Sequence, residues 1–365
     1  MTKVYVVRHA EAEGNLYGRP HAWYDGHLTS LGRRQIKAFA ERVKGIEFAA
    51  AYSSDRTRTM QTIGAVLESR PALKLNVTPR LRELHLGEWE DSTWGYLART
   101  CPDMLWYYRN DLSRWHPKGA ENFEDCKDRM YNFIVEKALR HKGKNILCAS
   151  HGFAIRALLS KVKNIPSDRI AEVPFCGNTA LSVFGVDDNG NVTVELENDF
   201  SHLEKDDAQG PLTRKMMSHS IQSVVFDELD EKRDGDFYKS ANPGGDLDKI
   251  SALREKYARC CAVAECEGGK AGIIELDPDR ERGFGKGWIS FYFIDEKFRS
   301  RGISRALIGY ACSVYRELGR EKIVLAVDKN DADLIKYFEY YAFEKAGETD
   351  SEGVEKILME YDLTL

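Results

Sequence analysis

The chain has 365 residues, of which 42% are hydrophobic and 30% are charged, and its formal net charge at pH 7 is −5. This length favours two domains, and the composition is that of an ordinary globular protein. A slightly acidic chain is not expected to bind nucleic acid or an anionic membrane surface. No apolar run reaches the roughly 18 residues that a membrane span needs.

The amino terminus enters a predicted strand at once, so no signal peptide is expected. The sequence contains 8 cysteines, and none of them forms a CxxC pair. We expect reduced, mostly buried cysteines in a cytoplasmic protein.

The first predicted element is the strand Val4–Val7, whose β-branched and aromatic residues indicate an interior position. Arg8 and His9 follow where the strand ends, and Gly14 and Asn15 mark a loop. Open α/β folds bind their ligands at the carboxyl edge of the sheet. Arg8 and His9 are therefore either part of a ligand site or part of an ordinary surface turn.

Strand-like and helix-like segments alternate up to about residue 200, which predicts an α/β domain with a mainly parallel sheet and helices on both faces. The strand AAAYSS leads towards Arg58, and the strand NILCAS leads directly into His151. Because parallel strands bring their carboxyl ends to one edge, Arg8, His9, Arg58 and His151 are expected to converge. Two histidines, two arginines and the amides of a helix start form a site for a dianion, and phosphate is the obvious one.

The stretch EKDDAQGPLTRKMM, residues 204–217, lacks apolar periodicity and contains Gly210-Pro211, so a linker is predicted at residues 205–217. The two domains are expected to span residues 1–204 and 218–365. After the linker the predicted order is a strand in IQSVVF, a helical region, a hairpin turning at Gly268-Gly269, the strand WISFYFI, a helix over 303–318, the strand KIVLAV, a helix over 331–341 and the strand KILMEYDL. This order predicts a mixed α/β domain.

The loop RSRGIS, residues 299–304, joins a predicted strand to a predicted helix. Consecutive loop amides at a helix start can hold a pyrophosphate, and Gly302 would let the backbone come close. The alternative is a basic loop that only caps the helix.

Six segments of the first half, in this order, resemble the histidine phosphatase superfamily, also called phosphoglycerate mutase-like: VRHAEAEGN, DGHLTSLGRRQ, SSDRTRTMQT, LRELHLGEWED, KGAEN and ASHGFAIRAL. The segment NDFSHLE resembles the usual end of that domain. The resemblance covers roughly residues 1–204 and implies a three-layer α/β/α fold without a metal requirement.

The resemblance implies that His9 is the nucleophile, which attacks phosphorus and forms a phosphohistidine. His9 must be neutral, with the proton of its other ring nitrogen held, often by a backbone carbonyl. Arg8, Arg58 and His151 would stabilise charge on the phosphoryl oxygens. The residues implied to bind the phosphate are Arg8, Asn15, Arg58, His151 and Gly152.

Glu83 matches the acid/base of the family, which protonates the leaving oxygen and then helps water attack the phosphohistidine. A carboxyl beside a phosphate dianion is expected to have a raised pKa, which suits this task. Glu88 and Glu90 are alternatives to Glu83, and Arg56 is the alternative to Arg58.

Asp91 departs from the pattern, because relatives commonly carry glycine at this position, and His85 is expected to be a packing or rim residue. LRELHLGEWED is more similar to the phosphatase branch than to the glycolytic mutases. The segment where the family places a cap is rich in aromatic residues, which either pack the cap itself or form a wall for an apolar leaving group: Trp94, Tyr96, Trp106, Tyr107, Tyr108 and Trp115.

The second half resembles the GNAT acyltransferases. The series Arg299, Ser300, Arg301, Gly302, Ile303 and Ser304 is similar to their motif A, R-x-x-G-x-G/A, which binds the pyrophosphate of acetyl-CoA. Ser304 departs from the usual Gly or Ala but is small enough to leave its amide exposed. The predicted order of elements over residues 218–365 also fits that fold.

The segment FEYYAF resembles a second GNAT segment, Y-E-x-x-G-F, but places Phe338 where a tyrosine often protonates the leaving CoA thiolate. The candidates to replace that acid are Tyr337, Tyr340 and Tyr341, and helical spacing lets only one of them face the cleft. Glu265 and Glu275 are candidate bases, each competing with a role on a solvated strand face.

The leading hypothesis is hydrolysis of a small phosphomonoester through phospho-His9, together with acetyl-CoA-dependent N-acetyl transfer. One alternative is a phosphatase regulated by a non-catalytic, acetyl-CoA-sensing module, and another is a phosphomutase. A third alternative is a phosphoprotein phosphatase joined to a protein lysine acetyltransferase.

Overall fold

A computed structural model describes residues 1–213, 223–351 and 353–365. Residues 214–217 of the predicted linker and residues 221–222 of the predicted strand IQSVVF lie outside the described residues. The chain divides into two compact units. Most of residues 1–213 form the first unit, and the described residues from 223 onward form the second together with two short segments, Tyr17–Arg19 and Thr93–Arg99.

The first unit is an α/β fold around one sheet. Its strands are β1 (Thr2–Arg8), β2 (Ala50–Ser53), β3 (Leu75–Val77), β4 (Asn145–Ser150), β5 (Leu181–Val186) and β6 (Val192–Asp199). The helices along this part of the chain are α1 (Glu13–Tyr17), α2 (Ser30–Arg42), α3 (Thr57–Leu67), α4 (Trp94–Thr100), α5 (Pro102–Asn110), α6 (Phe123–Arg140) and α7 (Gly152–Val162).

The sheet order is β3-β2-β4-β1-β5-β6. β3, β2, β4 and β1 are parallel, and β5 and β6 are antiparallel. The prediction of a mainly parallel sheet is thus confirmed.

Helices cover both faces of this sheet. On one face, apolar residues of β1, β2 and β4 pack against α2 and α3 through Phe39 and Ile63. On the other face, Val4 and Val6 are fully buried, and α6 and α7 contact each other and β1. Burial of these side chains supplies the main stabilisation of the three layers.

The carboxyl ends of three parallel strands meet at one edge of the sheet. Arg8 of β1 is in register with Ser150 of β4, and Ser53 of β2 is in register with Ala149. The residues that follow these strands are therefore neighbours, as the sequence predicts.

The second unit is a mixed α/β fold. Its strands are β7 (Val225–Glu228), β8 (Cys261–Cys266), β9 (Gly269–Asp277), β10 (Lys286–Ile294), β11 (Lys322–Asp328), β12 (Glu344–Ser351) and β13 (Val354–Asp362). Its helices are α8 (Glu231–Ala241), α9 (Leu247–Lys256), α10 (Ile303–Glu317) and α11 (Ala332–Tyr340).

The sheet order in this unit is β12-β13-β11-β10-β9-β8-β7, and only β10 and β11 are parallel among the described strands. The hairpin predicted at Gly268-Gly269 is present, and both glycines have a positive φ. The sequence reading omitted β12, because EKAGETDS is polar and contains a glycine. An exposed edge strand held only by β13 shows no alternating apolar pattern.

All eight cysteines lie in the described part of the chain as free thiols, and six of them are buried. None of the described helices is both long enough and apolar enough to cross a membrane.

Candidate active sites

His9 follows β1 directly and its side chain is buried. The ring Nδ1 lies 2.7 Å from the carbonyl oxygen of Ala10, so the Nδ1–H donates to that carbonyl. This bond selects the tautomer in which Nε2 carries the free lone pair. Burial and the nearby guanidinium groups of Arg58 and Arg8 hold the pKa of His9 well below its ordinary value of 6.5. The imidazole is therefore neutral and can act as a nucleophile at neutral pH.

Arg8, Arg58 and His151 gather around His9. The rings of His9 and His151 are 5.3 Å apart between centroids. Arg58 Nη2 donates to His151 Nδ1 over 3.2 Å and to the Ala22 carbonyl over 2.6 Å. Arg8 Nη1 donates to a backbone carbonyl over 2.6 Å. These residues form the predicted cluster at the sheet edge.

Each of the two arginines has a buried N–H donor without a hydrogen-bond partner among the described residues. Arg8 is 7% exposed and Arg58 is 2% exposed, and the donor in each is the Nε–H. Burying an N–H group of a cation without an acceptor costs folding free energy, unless a ligand accepts its hydrogen bond. The chemistry of these donors fits an oxyanion such as a phosphoryl group.

The start of α7 adds a backbone donor to the same place. His151 precedes the helix without capping it through its side chain. The amides of Phe153 and Ala154 donate to Glu83, so the amide of Gly152 is the one in the first turn that is left for a ligand. A Cβ on Gly152 would lie 3.3 Å from Arg8 Nε. The glycine thus allows the helix start and the arginine to approach closely.

Asn15 lies in α1 with its carboxamide oriented by two donors. Its Oδ1 accepts from the Ala12 amide over 3.1 Å and from Asn178 Nδ2 over 3.2 Å. Since the oxygen is engaged, the Nδ2 end of the carboxamide is the end available for donation to a ligand. This orientation agrees with the donor role expected of Asn15.

Glu83 accepts hydrogen bonds at the start of α7. Its carboxylate oxygens accept hydrogen bonds from the backbone amides of Phe153 over 3.0 Å and Ala154 over 2.7 Å. Oε1 also accepts one from the amide of Leu84 over 2.9 Å. Burial raises the pKa of Glu83 in spite of these three N–H donors. A carboxyl with a raised pKa can release a proton near neutral pH and take it back.

The alternatives to Glu83 have other partners. Glu90 accepts from the amides of Ala22, Trp23 and Tyr24 and so holds the loop whose carbonyls bind Arg58. Glu88 is exposed.

Arg56, the alternative to Arg58, is paired with Asp55 and with the Trp23 carbonyl. His85 packs against Trp23 with ring centroids 4.5 Å apart and bonds to Gly119 through Nδ1. It is a packing residue, as the sequence predicts.

Three residues that the sequence reading did not single out support the histidines. Ser54 Oγ lies 2.9 Å from His151 Nε2. Thr62 Oγ1 accepts from the Ala10 amide over 3.0 Å. Asn178 Nδ2 donates to the His9 carbonyl over 3.1 Å. Ser54 and Thr62 fall in the quoted motif SSDRTRTMQT, whereas Asn178 stands alone in a loop without any spacing signal.

Asp91 has a φ of 55°, in the left-handed region that favours glycine. Its Oδ1 lies 3.0 Å from His21 Nε2, and the carbonyl of His21 accepts from Arg58 over 3.3 Å. The departure from glycine at this position therefore places a carboxylate on the loop that holds Arg58.

The aromatic residues of the predicted cap take two different positions. Tyr108 and Trp115 are buried and pack with Trp89, with ring centroids 5.4 to 5.7 Å apart. Trp106 is 56% exposed and Tyr96 is 46% exposed. Tyr108 also stacks on Phe153 in the first turn of α7, with ring centroids 4.4 Å apart. Trp115 thus supports the interpretation that these aromatics pack the cap itself, whereas Tyr108 additionally contacts the helix start beside the site.

An aromatic residue outside that segment also lies beside the site. Phe175 is 60% exposed, and its ring centroid is 5.1 Å from the Arg8 Cζ. It also contacts Phe153 in the first turn of α7, with centroids 6.2 Å apart.

In the second unit, the loop of residues 299–304 has the backbone of a tight anion-binding turn. Ser300 and Gly302 have positive φ angles of 62° and 87°, and α10 begins at Ile303 without a side-chain cap. Two basic residues, Arg299 and Arg301, flank the turn. The first amides of α10 are thus open to an anion.

Next to this loop, β10 separates from β11. The two strands pair only from Lys286–Lys322 to Trp288–Val324, and β10 then bulges between Ile289 and Phe291. The remainder of β10, up to Ile294, has no pairing with β11. An extended ligand can lie along such an open strand edge.

The tyrosine candidates of α11 differ in exposure. Tyr340 is 50% exposed, whereas Tyr341 is buried, and its ring centroid is 4.8 Å from that of Tyr337. Phe338 is buried against Phe343. Burial raises the pKa of both Tyr337 and Tyr341 above the ordinary value of 10.0.

Tyr292 of β10 connects the strand to the loop, because its hydroxyl donates to the Ser304 carbonyl over 3.0 Å and contacts the Ser304 hydroxyl. Its pKa is raised by burial, and the Tyr337 hydroxyl is among the groups that affect it. Of the three candidate tyrosines, Tyr337 is the one whose hydroxyl interacts with those of both Tyr292 and Ser304.

Both halves of the chain match family models. Residues 4–199 match the histidine phosphatase superfamily (branch 1), and residues 226–343 match the acetyltransferase (GNAT) family. The first match spans more than half of the chain.

Relatives with curated names resemble the first half. The phosphoglycerate mutase-like protein 4 of Arabidopsis thaliana is 29% identical over 207 residues, which cover 56% of this chain and 87% of that protein. The metal-independent phosphoserine phosphatase of the same plant is 29% identical over 171 residues, which cover 46% of this chain and 71% of that protein. The solved structure of Bacillus stearothermophilus YhfR aligns with a TM-score of 0.54 at 29% identity and covers 56% of this chain and 100% of that one.

The two curated relatives are thus named as a phosphoglycerate mutase-like protein and a phosphoserine phosphatase. The chain belongs to the histidine phosphatase superfamily (branch 1), and its second half is a domain of the GNAT acetyltransferase family.

Proposed function

We propose that the first domain hydrolyses small phosphomonoesters through a phosphohistidine on His9. The observation that carries this proposal is the pair of buried Nε donors on Arg8 and Arg58 beside a neutral imidazole. We also propose domain bounds of 1–204 and 218–365 with a linker at 205–217; both family matches fall inside them.

In the first step, His9 Nε2 forms a bond to phosphorus while the bond from phosphorus to the leaving oxygen breaks. Glu83 donates its proton to that oxygen, and the free alcohol departs. Arg8, Arg58 and His151 stabilise the charge that spreads over the three other oxygens.

In the second step, the Glu83 carboxylate takes a proton from water as the water oxygen attacks phosphorus. The bond between phosphorus and Nε2 breaks, and inorganic phosphate leaves. Asn15 and the amide of Gly152 hold the phosphoryl oxygens through both steps. Glu83 ends protonated, so the enzyme is ready for another turnover.

Turnover of p-nitrophenyl phosphate by His9→Ala tests this assignment. We expect activity to be lost in His9→Ala and retained in the control His85→Ala, which removes a packing histidine. Turnover that survives in His9→Ala would contradict the assignment.

We further propose that the second domain transfers an acetyl group from acetyl-CoA to an amine. The GNAT match, the turn at Ser300–Gly302 and the open edge of β10 support this proposal. The turn and the amides at the start of α10, with Arg299, Arg301 and Ser304 around them, would hold the pyrophosphate of acetyl-CoA. Tyr337 is our choice for the acid that protonates the departing thiolate.

Calorimetric titration of acetyl-CoA tests the cofactor site. We expect micromolar binding to the full chain and loss of binding in the double variant Arg301→Glu, Gly302→Asp. The control is Arg282→Glu, a basic residue on an exposed turn of the same unit. No binding to the unaltered protein would contradict the proposal.

A regulatory role of the second domain is the second candidate, and Phe338 favours it. This residue stands at the position where the family often has the tyrosine acid, and it is buried in the core. A domain that binds acetyl-CoA without an acid in that position could act as a sensor.

A further inference from the structure

A cavity of about 220 Å³ lies in the second unit, between the end of α8, the start of α9 and the strands β9 and β10. This volume is below the roughly 300–1,000 Å³ of sites for drug-sized ligands. Among the lining residues are Tyr238, Asn242, Lys249, Glu275 and Ser290. The size restricts an occupant to a small metabolite.

The cavity reaches the open edge of β10 at Ser290. This residue lies at the bulge of β10, two positions after Trp288, which forms the last pair with β11. Its side chain is exposed and donates to the Glu275 carbonyl over 3.2 Å. A molecule in the cavity would therefore lie next to the strand edge along which we place acetyl-CoA.

Glu275 supplies a carboxyl with spare acceptor capacity. Asn242 Nδ2 lies 3.3 Å from Glu275 Oε1 and 3.3 Å from the Tyr238 hydroxyl oxygen. Glu275 also accepts a hydrogen bond from the Tyr238 hydroxyl. A carboxylate can accept about four hydrogen bonds, so these two leave room for an ammonium group. Burial raises the pKa of Glu275, which makes it a stronger base than an exposed carboxylate.

The other two carboxyls of the cavity are engaged by backbone amides. Asp246 accepts from Asp248 and Lys249 at the start of α9. Asp277 accepts from Asp279 and Arg280 in the turn after β9. Glu275 is consequently the carboxyl that is best placed to receive a ligand.

Lys249 supplies the opposite charge at the rim. It is exposed, and its ammonium has no carboxylate within 4.0 Å in the parts of the chain that the structure covers. A cavity with a base on its wall and a free cation at its rim is complementary to a molecule that carries both an amine and an anionic group.

Gly245 maintains this arrangement. A Cβ at this position would lie 2.2 Å from the Tyr238 hydroxyl oxygen. Any other residue would push the hydroxyl from its place beside Asn242.

We propose that this cavity binds the acetyl acceptor and that the acceptor is a small primary amine bearing a carboxylate or phosphate, with the amine at Glu275 and the anionic group at Lys249. This inference rests on the acetyltransferase function proposed above. The ammonium group gives one proton to Glu275, and the free nitrogen attacks the thioester carbonyl. The new C–N bond forms and the C–S bond breaks. Tyr337 gives its proton to the departing thiolate and takes up the second proton of the nitrogen. The products are the N-acetyl amine and CoA.

Acetylation of three probes tests the class of acceptor: L-serine and O-phosphoethanolamine, which carry an anionic group, and ethanolamine, which does not. We expect kcat/KM for at least one anionic probe to exceed that for ethanolamine by about tenfold, the effect of one charged contact. Lys249→Gln should remove this preference. The matched control is Lys239→Gln, which changes an exposed lysine on α8.

Glu275→Gln tests the base. We expect kcat to fall by about 10²- to 10⁴-fold for every probe that is acetylated, with unchanged binding of acetyl-CoA. The matched control is Glu265→Gln, which changes the other candidate base, a residue outside the cavity.

Calorimetric titration of each probe into the protein saturated with CoA separates the two possible failures. Binding of an anionic probe that is lost in Lys249→Gln, without acetylation of any probe, would support the cavity and contradict the acetyltransferase. Acetylation of all three probes at equal rates, unchanged in both cavity variants, would support the acetyltransferase and overturn the cavity. Absence of both binding and acetylation for all three probes would overturn both.

Discussion

Asn178 donates a hydrogen bond to Asn15 through Nδ2, over 3.2 Å to the Oδ1 atom. The same Nδ2 lies 3.1 Å from the carbonyl oxygen of His9. One side chain in the loop before β5 thus connects the backbone of the nucleophile with a residue that we assign to phosphate binding.

Asn178→Ala should therefore weaken phosphate binding without abolishing turnover. Without Nδ2, the Asn15 carboxamide can rotate and present its oxygen to the anion. We expect the inhibition constant of inorganic phosphate to rise about tenfold, the effect of one hydrogen bond to a charged group, with a smaller effect on kcat. Asn189→Ala, in the exposed turn between β5 and β6, is the control. Equal phosphate affinity in both variants would contradict the positioning role.

Glu83→Gln should change the pH profile of the phosphatase. Hydrolysis needs neutral His9, so kcat/KM falls at acidic pH only as His9 becomes protonated, and its lowered pKa moves that limb well below 6.5. Hydrolysis also needs protonated Glu83, so kcat/KM falls at alkaline pH as Glu83 ionises, and its raised pKa moves that limb above the usual carboxyl range. In the Glu83→Gln variant, kcat/KM should no longer fall at alkaline pH.

The same variant should lose about 10²- to 10⁴-fold in kcat/KM on alkyl phosphates, whose leaving oxygen needs the proton. The loss on p-nitrophenyl phosphate should be smaller, because nitrophenolate leaves without help. Glu88→Gln changes an exposed neighbour and serves as the control. An alkaline limb that persists in Glu83→Gln would assign the acid to another group.

Phe175→Ala should alter the choice of substrate. In the proposed mechanism the leaving group departs beside Glu83, which is bonded to the Phe153 amide. The exposed Phe175 ring contacts both Phe153 and Arg8. We expect kcat/KM for aryl phosphates to fall about threefold to tenfold relative to O-phosphoserine, the effect of one lost aromatic contact. Phe284→Ala, which removes an exposed ring of the second unit, is the control. An equal fall in kcat/KM for both substrates would contradict the prediction that the Phe175 ring contacts the aryl leaving group.

Phosphatase assays with and without acetyl-CoA distinguish a catalytic second domain from a sensor. If the two activities are independent, saturating acetyl-CoA leaves kcat/KM for p-nitrophenyl phosphate unchanged. A change that disappears in Arg301→Glu, Gly302→Asp would support the sensor. The same assay with CoA alone shows whether the acetyl group itself is detected.

The sequence predicted the residues that follow parallel strands, because strand direction brings their ends to one edge. Arg8, His9, Arg58 and His151 meet there as expected, and Glu83 is bonded to the start of α7. Each of these residues stands in a local motif.

Other features depended on contacts between distant segments. Asn178 acts over more than 160 positions of sequence, and no local pattern marks it. The cap aromatics gave no indication that Phe175, outside their segment, would be the exposed ring beside Arg8. The polar strand β12 is held by pairing with β13, a contact that its own residues do not encode.

Detection of the phosphohistidine tests the proposed phosphatase mechanism most sharply. Rapid quenching at high pH after mixing with p-nitrophenyl phosphate, followed by peptide mass spectrometry, locates the phosphoryl group. We expect one phosphoryl group, on His9, that is stable to base and labile to acid. This label should be absent in His9→Ala and present in His85→Ala. A phosphoryl group on any other residue, or full turnover in His9→Ala, would contradict the account.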